Sequence, residues 1–183
     1  LRNQYIFEKT EEFQSDSIRI QKVTLPIGPV LVLGSSNFPL AYSTAGGDTI
    51  AAFAAGCCVL VKAHAMHAGT SVLVAECIED ARKTLNLPEG VFTHVLDDGF
   101  QHAQRLCLDE RIQAIGFTGS FKGGKALMDL AHSRKNPIPV FAEMGSVNPV
   151  VIDENLSSKQ QETVAEKLAH SICNDAGQFC TKP

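Results

Sequence analysis

The stretch Pro29-Val30-Leu31-Val32-Leu33, running into Gly34-Ser35-Ser36-Asn37-Phe38-Pro39, is a short apolar run that stops at a turn of small residues. A continuous run rich in Val and Leu is the pattern of a strand covered on both faces in a parallel sheet. A second such run is Cys58–Val61, and a helical segment follows each. After the first, the alanine-rich Thr44–Ala55 predicts a helix ending at Gly56, a residue that tolerates the positive φ of a helix C-terminus. After the second, Val74, Ile78, Ala81 and Leu85 recur at helical spacing, with Glu79, Asp80, Arg82 and Lys83 on the opposite face.

The rhythm continues with strands expected at Val91–Leu96, Ile112–Phe117, Pro139–Glu143 and Pro149–Ile152. Helices are expected over Phe100–Leu108 and Lys122–Ala131, the latter with Leu127, Leu130 and Ala131 on one face. Ser157-Ser158-Lys159-Gln160-Gln161 offers a capping-box start to a helix striped by Val164, Leu168 and Ile172. Repeated strand–helix units predict a doubly wound, parallel α/β domain of the Rossmann-like type, with ligands bound beyond the carboxyl ends of the strands. Residues 1–25, charged and without clear periodicity, read as a lead-in segment rather than a core element.

Length and composition set the outer limits. The 183 residues suit one good-sized domain, or one domain and part of another, and are too few for a complete large enzyme. At 44% hydrophobic and 20% charged, the composition is that of a globular chain able to bury about 70% of its unfolded surface, which excludes whole-chain disorder. Lys and Arg number 16 against 20 Asp and Glu, a net charge of −4, so nothing electrostatic points to nucleic acid or an anionic membrane. No apolar run approaches the roughly 20 residues of a membrane span, and the polar first residues are not a secretory leader. Six cysteines are too sparse for a disulfide scaffold, and Cys58, Cys77 and Cys173 lie in apolar patterns where a thiol behaves as a small hydrophobe. The compartment reads as reducing and cytoplasmic.

Six sets of residues are suited to chemistry. Gly34–Pro39 fits either a loop that brings backbone and the Asn37 amide to a ligand, or an Asx-type turn; no Gly-x-Gly-x-x-Gly fingerprint is present. Lys62 ends a strand at the cleft rim, where its ammonium would meet a ribose or phosphate, or else escape to solvent. His64 and His67 have the spacing of a metal pair, but no further ligand cluster completes a shell. The turn Gly116-Phe117-Thr118-Gly119-Ser120-Phe121-Lys122-Gly123-Gly124 opens a helix whose free amides would hold a phosphate, unless the glycines serve only a tight turn. Glu143 closes an apolar strand that would raise its pKa toward that of a general base, and Cys180 lies in the polar loop Gly177-Gln178-Phe179-Cys180-Thr181, where a thiolate would be accessible.

In this order, Asn37, Lys62, Gly119-Ser120, Glu143 and Cys180 resemble the aldehyde dehydrogenase superfamily from about residue 26 onward. The wording Gly34-Ser-Ser-Asn-Phe-Pro-Leu-Ala-Tyr42, Gly46-Gly-Asp-Thr49, Lys62-Ala-His64 and Phe141-Ala-Glu-Met-Gly-Ser-Val-Asn-Pro149 looks like its bacterial branch of α-ketoglutarate semialdehyde (2,5-dioxovalerate) dehydrogenases. The resemblance implies oxidation of an aldehyde, of the 2-oxo acid semialdehyde class, by NAD(P)+ through a cysteine thiohemiacetal and thioester. Cys180 would be the nucleophile, Asn37 the oxyanion donor and Glu143 the base that activates water. Ser36, Lys62, His64, Gly99, Phe117, Gly119, Ser120, Met144 and Gly145 would line the cofactor, and no metal is needed.

Ser36 stands where the family usually has an aromatic residue, Ala63 where it has Pro, and Ala65 where NAD-preferring members often have Glu. Without that carboxylate, Lys62 and His64 favour a ribose 2′-phosphate, so NADP is the expected cofactor ahead of NAD. Family members are also much longer. The resemblance therefore implies a fragment with residues 26–145 as nucleotide-binding domain and 146–183 as the start of the catalytic domain, inactive alone, from a parent that is a homo-oligomer. A nucleotide-binding fragment without turnover and a cysteine thiol hydrolase or acyltransferase are the other readings; the latter lacks a motif-linked histidine for Cys180.

Overall fold

In the computed structural model, which describes residues 11–15, 18–23, 25–97 and 99–183, an antiparallel pair of strands precedes the main sheet: β1 (Glu11–Ser15) and β2 (Ile18–Lys22). They form a sheet of their own. Every residue of β2 is exposed, so this strand adds sheet structure without adding core. Its residues 1–10, 16, 17 and 24 lie outside the described residues.

The chain divides into two units, Leu1–Glu143 and Met144–Pro183. In the first, the expected alternation is present as β3 (Val30–Leu33), α1 (Gly47–Ala54), β4 (Val59–Lys62), a single 3-10 turn (Ala65–His67), α2 (Ala68–Thr84), β5 (Phe92–Val95), α3 (Gln101–Leu108), β6 (Ala114–Thr118), α4 (Phe121–Ser133) and β7 (Val140–Glu143). The five strands from β3 onward are parallel, in the order β5-β4-β3-β6-β7. The chain winds outward from β3 to β5, then returns to β6 beside β3 and winds the other way. Such a reversal opens a crevice at the carboxyl ends of the two strands it separates, here β3 and β6.

Alternation along β3 explains its unbroken apolar run. Val30 and Val32 pack with Ala52, Val59, Val61, Ala75 and Phe92 under α1 and α2, while Leu31 and Leu33 pack with Ala103, Cys107, Ile115, Leu127 and Ala131 under α3 and α4. Both faces of the strand are therefore core. Leu31 and Ile115, paired across β3 and β6, are wholly buried, and such burial stabilises by about 1.5–3 kcal/mol per side chain.

Several expectations need correction. The first helix begins at Gly47, because Thr44 turns inward, fully buried, to hydrogen-bond Ser71 instead of opening the helix. The inner face of α2 is set by Ser71 and Ala75 with Ile78 beside them; Leu85 is exposed because the stripe is offset from the one expected. Cys58, Cys77 and Cys173 are exposed, whereas Cys57 and Cys107 are the buried thiols.

The second unit contains α5 (Ser158–Cys173), started as expected by a capping box in which the Ser157 amide donates to Gln160 Oε1 at 2.9 Å. The strand expected over Pro149–Ile152 does not form. Val151 is 93% exposed, and a strand needs a hydrogen-bonded neighbour that none of the described residues offers to this segment. No helix among the described residues is long and apolar enough to cross a membrane.

Candidate functional site

Strand ends gather most of the candidate residues. Sheet register sets Leu33, Lys62 and Phe117 in one row and Thr118 opposite Glu143, so the segments that follow β3, β4, β6 and β7 leave the same edge. After β3 the chain folds back tightly. The Ser35 amide donates to the Tyr42 carbonyl at 2.8 Å, the Tyr42 amide to the Phe38 carbonyl at 3.2 Å, and the Phe38 and Tyr42 rings meet edge to face at 5.0 Å. Ser36 and Asn37 ride exposed on this closed loop.

Lys62 is half-buried, with its ammonium donating to the Ala63 carbonyl at 3.1 Å. His64 accepts the Met66 amide at Nδ1, and its ring stacks on that of His67 at 5.6 Å. Burial pushes the His64 pKa down, and the charges of His67 and Lys62 add to this. No group of three metal-capable side chains occurs among the described residues. Beyond β5, Gly99 donates its amide to Asp97 Oδ1 at 3.1 Å, and His102 contacts the same oxygen at 3.0 Å. The hydrogen bond from His102 holds the Asp97 carboxyl below the usual range, helped by the Gly99 amide. The other carboxylate oxygen, Oδ2, is buried without a partner.

At the end of β6 the glycines have a steric task. A Cβ on Gly119 would stand 2.6 Å from Phe117 Cζ, and one on Gly123 would stand 3.0 Å from the same atom, so the Phe117 ring fills the space over the turn. Ser120 caps α4 by accepting the Gly123 amide at 3.1 Å. The tight-turn alternative thus accounts for both glycines and for the Ser120 hydroxyl. Glu143 accepts the Gly119 amide at its carbonyl, 3.0 Å, which fastens the ends of β6 and β7 together. Its side chain is exposed, and β7 alternates half-buried with exposed residues, so the described residues do not supply the apolar enclosure inferred from sequence.

Asp48, at the start of α1, escaped the sequence reading. Its Cβ and carboxyl lie where a Cβ on Gly116 would meet them at 3.0–3.2 Å; burial raises its pKa while a hydrogen bond from Thr118 pulls the other way. Only the unassigned Asp in Gly46-Gly-Asp-Thr49 signalled it. A hollow of about 330 Å³ between α2 and β5 is lined by Glu76, Glu79, Asp80, Lys83, Phe92 and His94, none of which is a candidate residue.

In the second unit, Cys180 sits half-buried in a turn. Asn148 Nδ2 donates to the Cys180 carbonyl at 2.8 Å and to the Lys182 carbonyl at 2.6 Å, and the Ser146 hydroxyl also donates to the Cys180 carbonyl. Lys182 returns its ammonium to the Asn174 and Ser171 carbonyls at the end of α5, where a cation is favoured. Just before the turn, Asp175 and Ala176 adopt φ of 47° and 52°, a left-handed bend that only glycine adopts freely. Met144 is half-buried and Gly145 exposed.

Residues 4–183 match the model of the aldehyde dehydrogenase family. The chain is 48% identical over 166 residues to an alpha-ketoglutaric semialdehyde dehydrogenase of Acinetobacter baylyi and equally to alpha-ketoglutaric semialdehyde dehydrogenase 2 of Azospirillum brasilense, in each case covering 91% of this chain and 31% of that protein. It therefore spans about a third of the length of these relatives. A solved NAD-dependent aldehyde dehydrogenase from Sinorhizobium meliloti superposes with a TM-score of 0.78 at 26% identity, over 94% of this chain and 32% of that one.

Proposed function

The chain belongs to the aldehyde dehydrogenase family, and on that premise we propose that the protein oxidises an aldehyde, of the 2-oxo acid semialdehyde class, to a carboxylate with NAD(P)+. The observation that carries this reading is the placement of Asn37, Lys62, Gly119-Ser120 and Glu143 at the carboxyl ends of adjacent parallel strands, on both sides of the reversal in winding. We take residues 26–145 as the nucleotide-binding domain and 146–183 as the opening of the catalytic domain.

The residues present fit a dinucleotide. Lys62 supplies an ammonium at the rim, His64 a ring at the next turn, and Asp97 Oδ2 a buried acceptor that a ribose hydroxyl would complete. Ser36, Gly99, Phe117, Gly119, Ser120, Met144 and Gly145 are the remaining contacts we assign. A dinucleotide held by these residues would supply its nicotinamide as the hydride acceptor. The Cys180 thiolate adds to the aldehyde carbon, and the Asn37 amide and Cys180 N–H stabilise the thiohemiacetal oxyanion. Loss of hydride from the thiohemiacetal carbon leaves a thioester on Cys180; water attacks it as its proton passes to Glu143, and the C–S bond breaks to release the carboxylate product and the Cys180 thiolate. The other strand-end groups bind and orient.

Ala65, in place of an acidic side chain, removes one carboxylate beside Lys62 and His64 that would repel a 2′-phosphate, and we assign NADP as the preferred cofactor. A lower KM for NADP than for NAD is expected; an NADP affinity far below that for NAD overturns the assignment. All six cysteines are free, which supports a reducing compartment, and we assign the cytoplasm and a homo-oligomeric state.

The test follows NADPH absorbance with a short 2-oxo acid semialdehyde and the full-length protein. Cys180→Ser is expected to lower turnover by at least about a thousandfold. Glu143→Gln is expected to keep a first burst of NADPH while slowing steady turnover by about a hundredfold or more. Undiminished turnover in Cys180→Ser overturns the reading.

A further inference from the structure

His67 lies three residues beyond the strand-end histidine, and its ring reaches across to the loop that carries Asn37. His67 Nε2 is 2.8 Å from the Ser35 carbonyl oxygen, 32 residues back in the chain. A carbonyl only accepts, so Nε2 carries the proton and donates. The ring's other nitrogen, Nδ1, is buried and has no partner. All of the side chain's directed bonding is therefore spent on one peptide group.

That peptide group is the root of the loop. Ser35 is 4% exposed, its amide is taken by the Tyr42 carbonyl, and its own carbonyl is taken by His67. Gly34, just before it, lies where a Cβ would come within 2.6 Å of Ser43 Cα, so the strand end has no slack on that side. Two residues later comes Asn37, followed by Phe38, whose carbonyl and ring are both engaged by Tyr42. The donor end is equally fixed. His67 closes the 3-10 turn that leaves β4, with its amide donating to the His64 carbonyl at 3.3 Å and its ring stacked on His64. We propose that His67 is a positioning residue: by holding the Ser35 carbonyl it sets the height and aim of the Asn37 amide over the reacting carbonyl.

The inference rests on the role assigned to Asn37 above. An oxyanion donor works only where its N–H lies within hydrogen-bond distance of the developing charge, and misplacement by about 1 Å costs on the order of a hundredfold in rate. The bond should therefore appear in kcat, with cofactor affinity spared.

The experiment compares full-length His67→Leu, which fills similar space without a donor, with His67→Gln, whose Nε2 reaches the same position. Active sites are counted from the NADPH burst, so that misfolded enzyme does not enter kcat. Expected are a fall in kcat per site of about tenfold or more in His67→Leu, a KM for NADP within about threefold of the parent's, and recovery of most of kcat in His67→Gln. Hydrogen exchange should quicken at the amides of residues 36–42 in His67→Leu alone. An unchanged kcat per site, equal impairment of both variants, a change confined to the KM for NADP, or unaltered exchange at 36–42 would each overturn the inference. If the parent enzyme itself fails to oxidise aldehydes, the reading of function fails instead, and the exchange comparison still decides whether His67 holds the loop.

Discussion

Gly34 has backbone, not flexible side chain, where a Cβ would go: Ser43 Cα at 2.6 Å and the Tyr42 carbonyl oxygen at 2.8 Å. Neither atom can yield without opening the loop that carries Asn37. Gly34→Ala should therefore cost about 1–3 kcal/mol, the usual range for overpacking. Gly47, in the first turn of α1, has nothing within 4 Å of such a Cβ, and Gly47→Ala should be neutral or stabilising by up to about 1 kcal/mol through helix propensity. Urea midpoints of the two variants check the pair, and equal losses would show that crowding is not what selects Gly34. Of these two glycines, the sequence shows only that small residues end a strand and open a helix. The crowding at Gly34 is tertiary, as is the Phe117 ring over Gly119 and Gly123.

At the scale of elements, a buried polar line joins the start of the α1 loop to α2 and β5. Thr44 Oγ1 meets Ser71 Oγ, which meets His94 Nε2 at 2.8 Å. Burial pushes the His94 pKa below its ordinary 6.5. The unfolded chain then binds a proton at a pH where folded His94 stays neutral, so stability falls as pH drops through the ordinary value toward the folded one. His94→Gln, which keeps a polar partner for Ser71 but does not titrate, should lose less stability between about pH 7 and about pH 5.5. His64 has a shift of the same sign, so some slope remains in the variant. Thermal midpoints across that range test the difference; parallel curves would mean that His94 stays in contact with water. Continuous apolar runs made β3, β4 and β6 legible in advance, and strand ends pointed to Asn37, Lys62 and Glu143. The run at Val150-Val151-Ile152 looked the same, because an apolar run reports burial preference and cannot name a partner. Bonds such as His67 to Ser35 or Asn148 to Cys180 span 32 residues and leave no periodic trace.

For the molecule as a whole, burial is shared unequally. Every buried side chain among the described residues lies between Val30 and Ile138, and the apolar core forms two layers that flank the parallel sheet. Residues 144–183 contain none, and Val147, Val150, Val151, Ile152 and Ile172 are all at least half exposed. A helix of 16 residues with little apolar burial is near the length where isolated helices are marginal in water. Its capping box is worth about 0.5–2 kcal/mol, enough to bias the first turn but not to close the whole helix against exchange. In the 183-residue polypeptide, amides of α5 should therefore exchange orders of magnitude faster than those of β3, β4 and β6, whose opening requires global unfolding. Ser157→Ala should quicken exchange in the first turn of α5 while leaving the strands unchanged. Protection of α5 equal to that of β3 would mean that residues 144–183 bury far more apolar surface than their exposure indicates, and would place the Cys180 turn on a rigid support already within this length of chain.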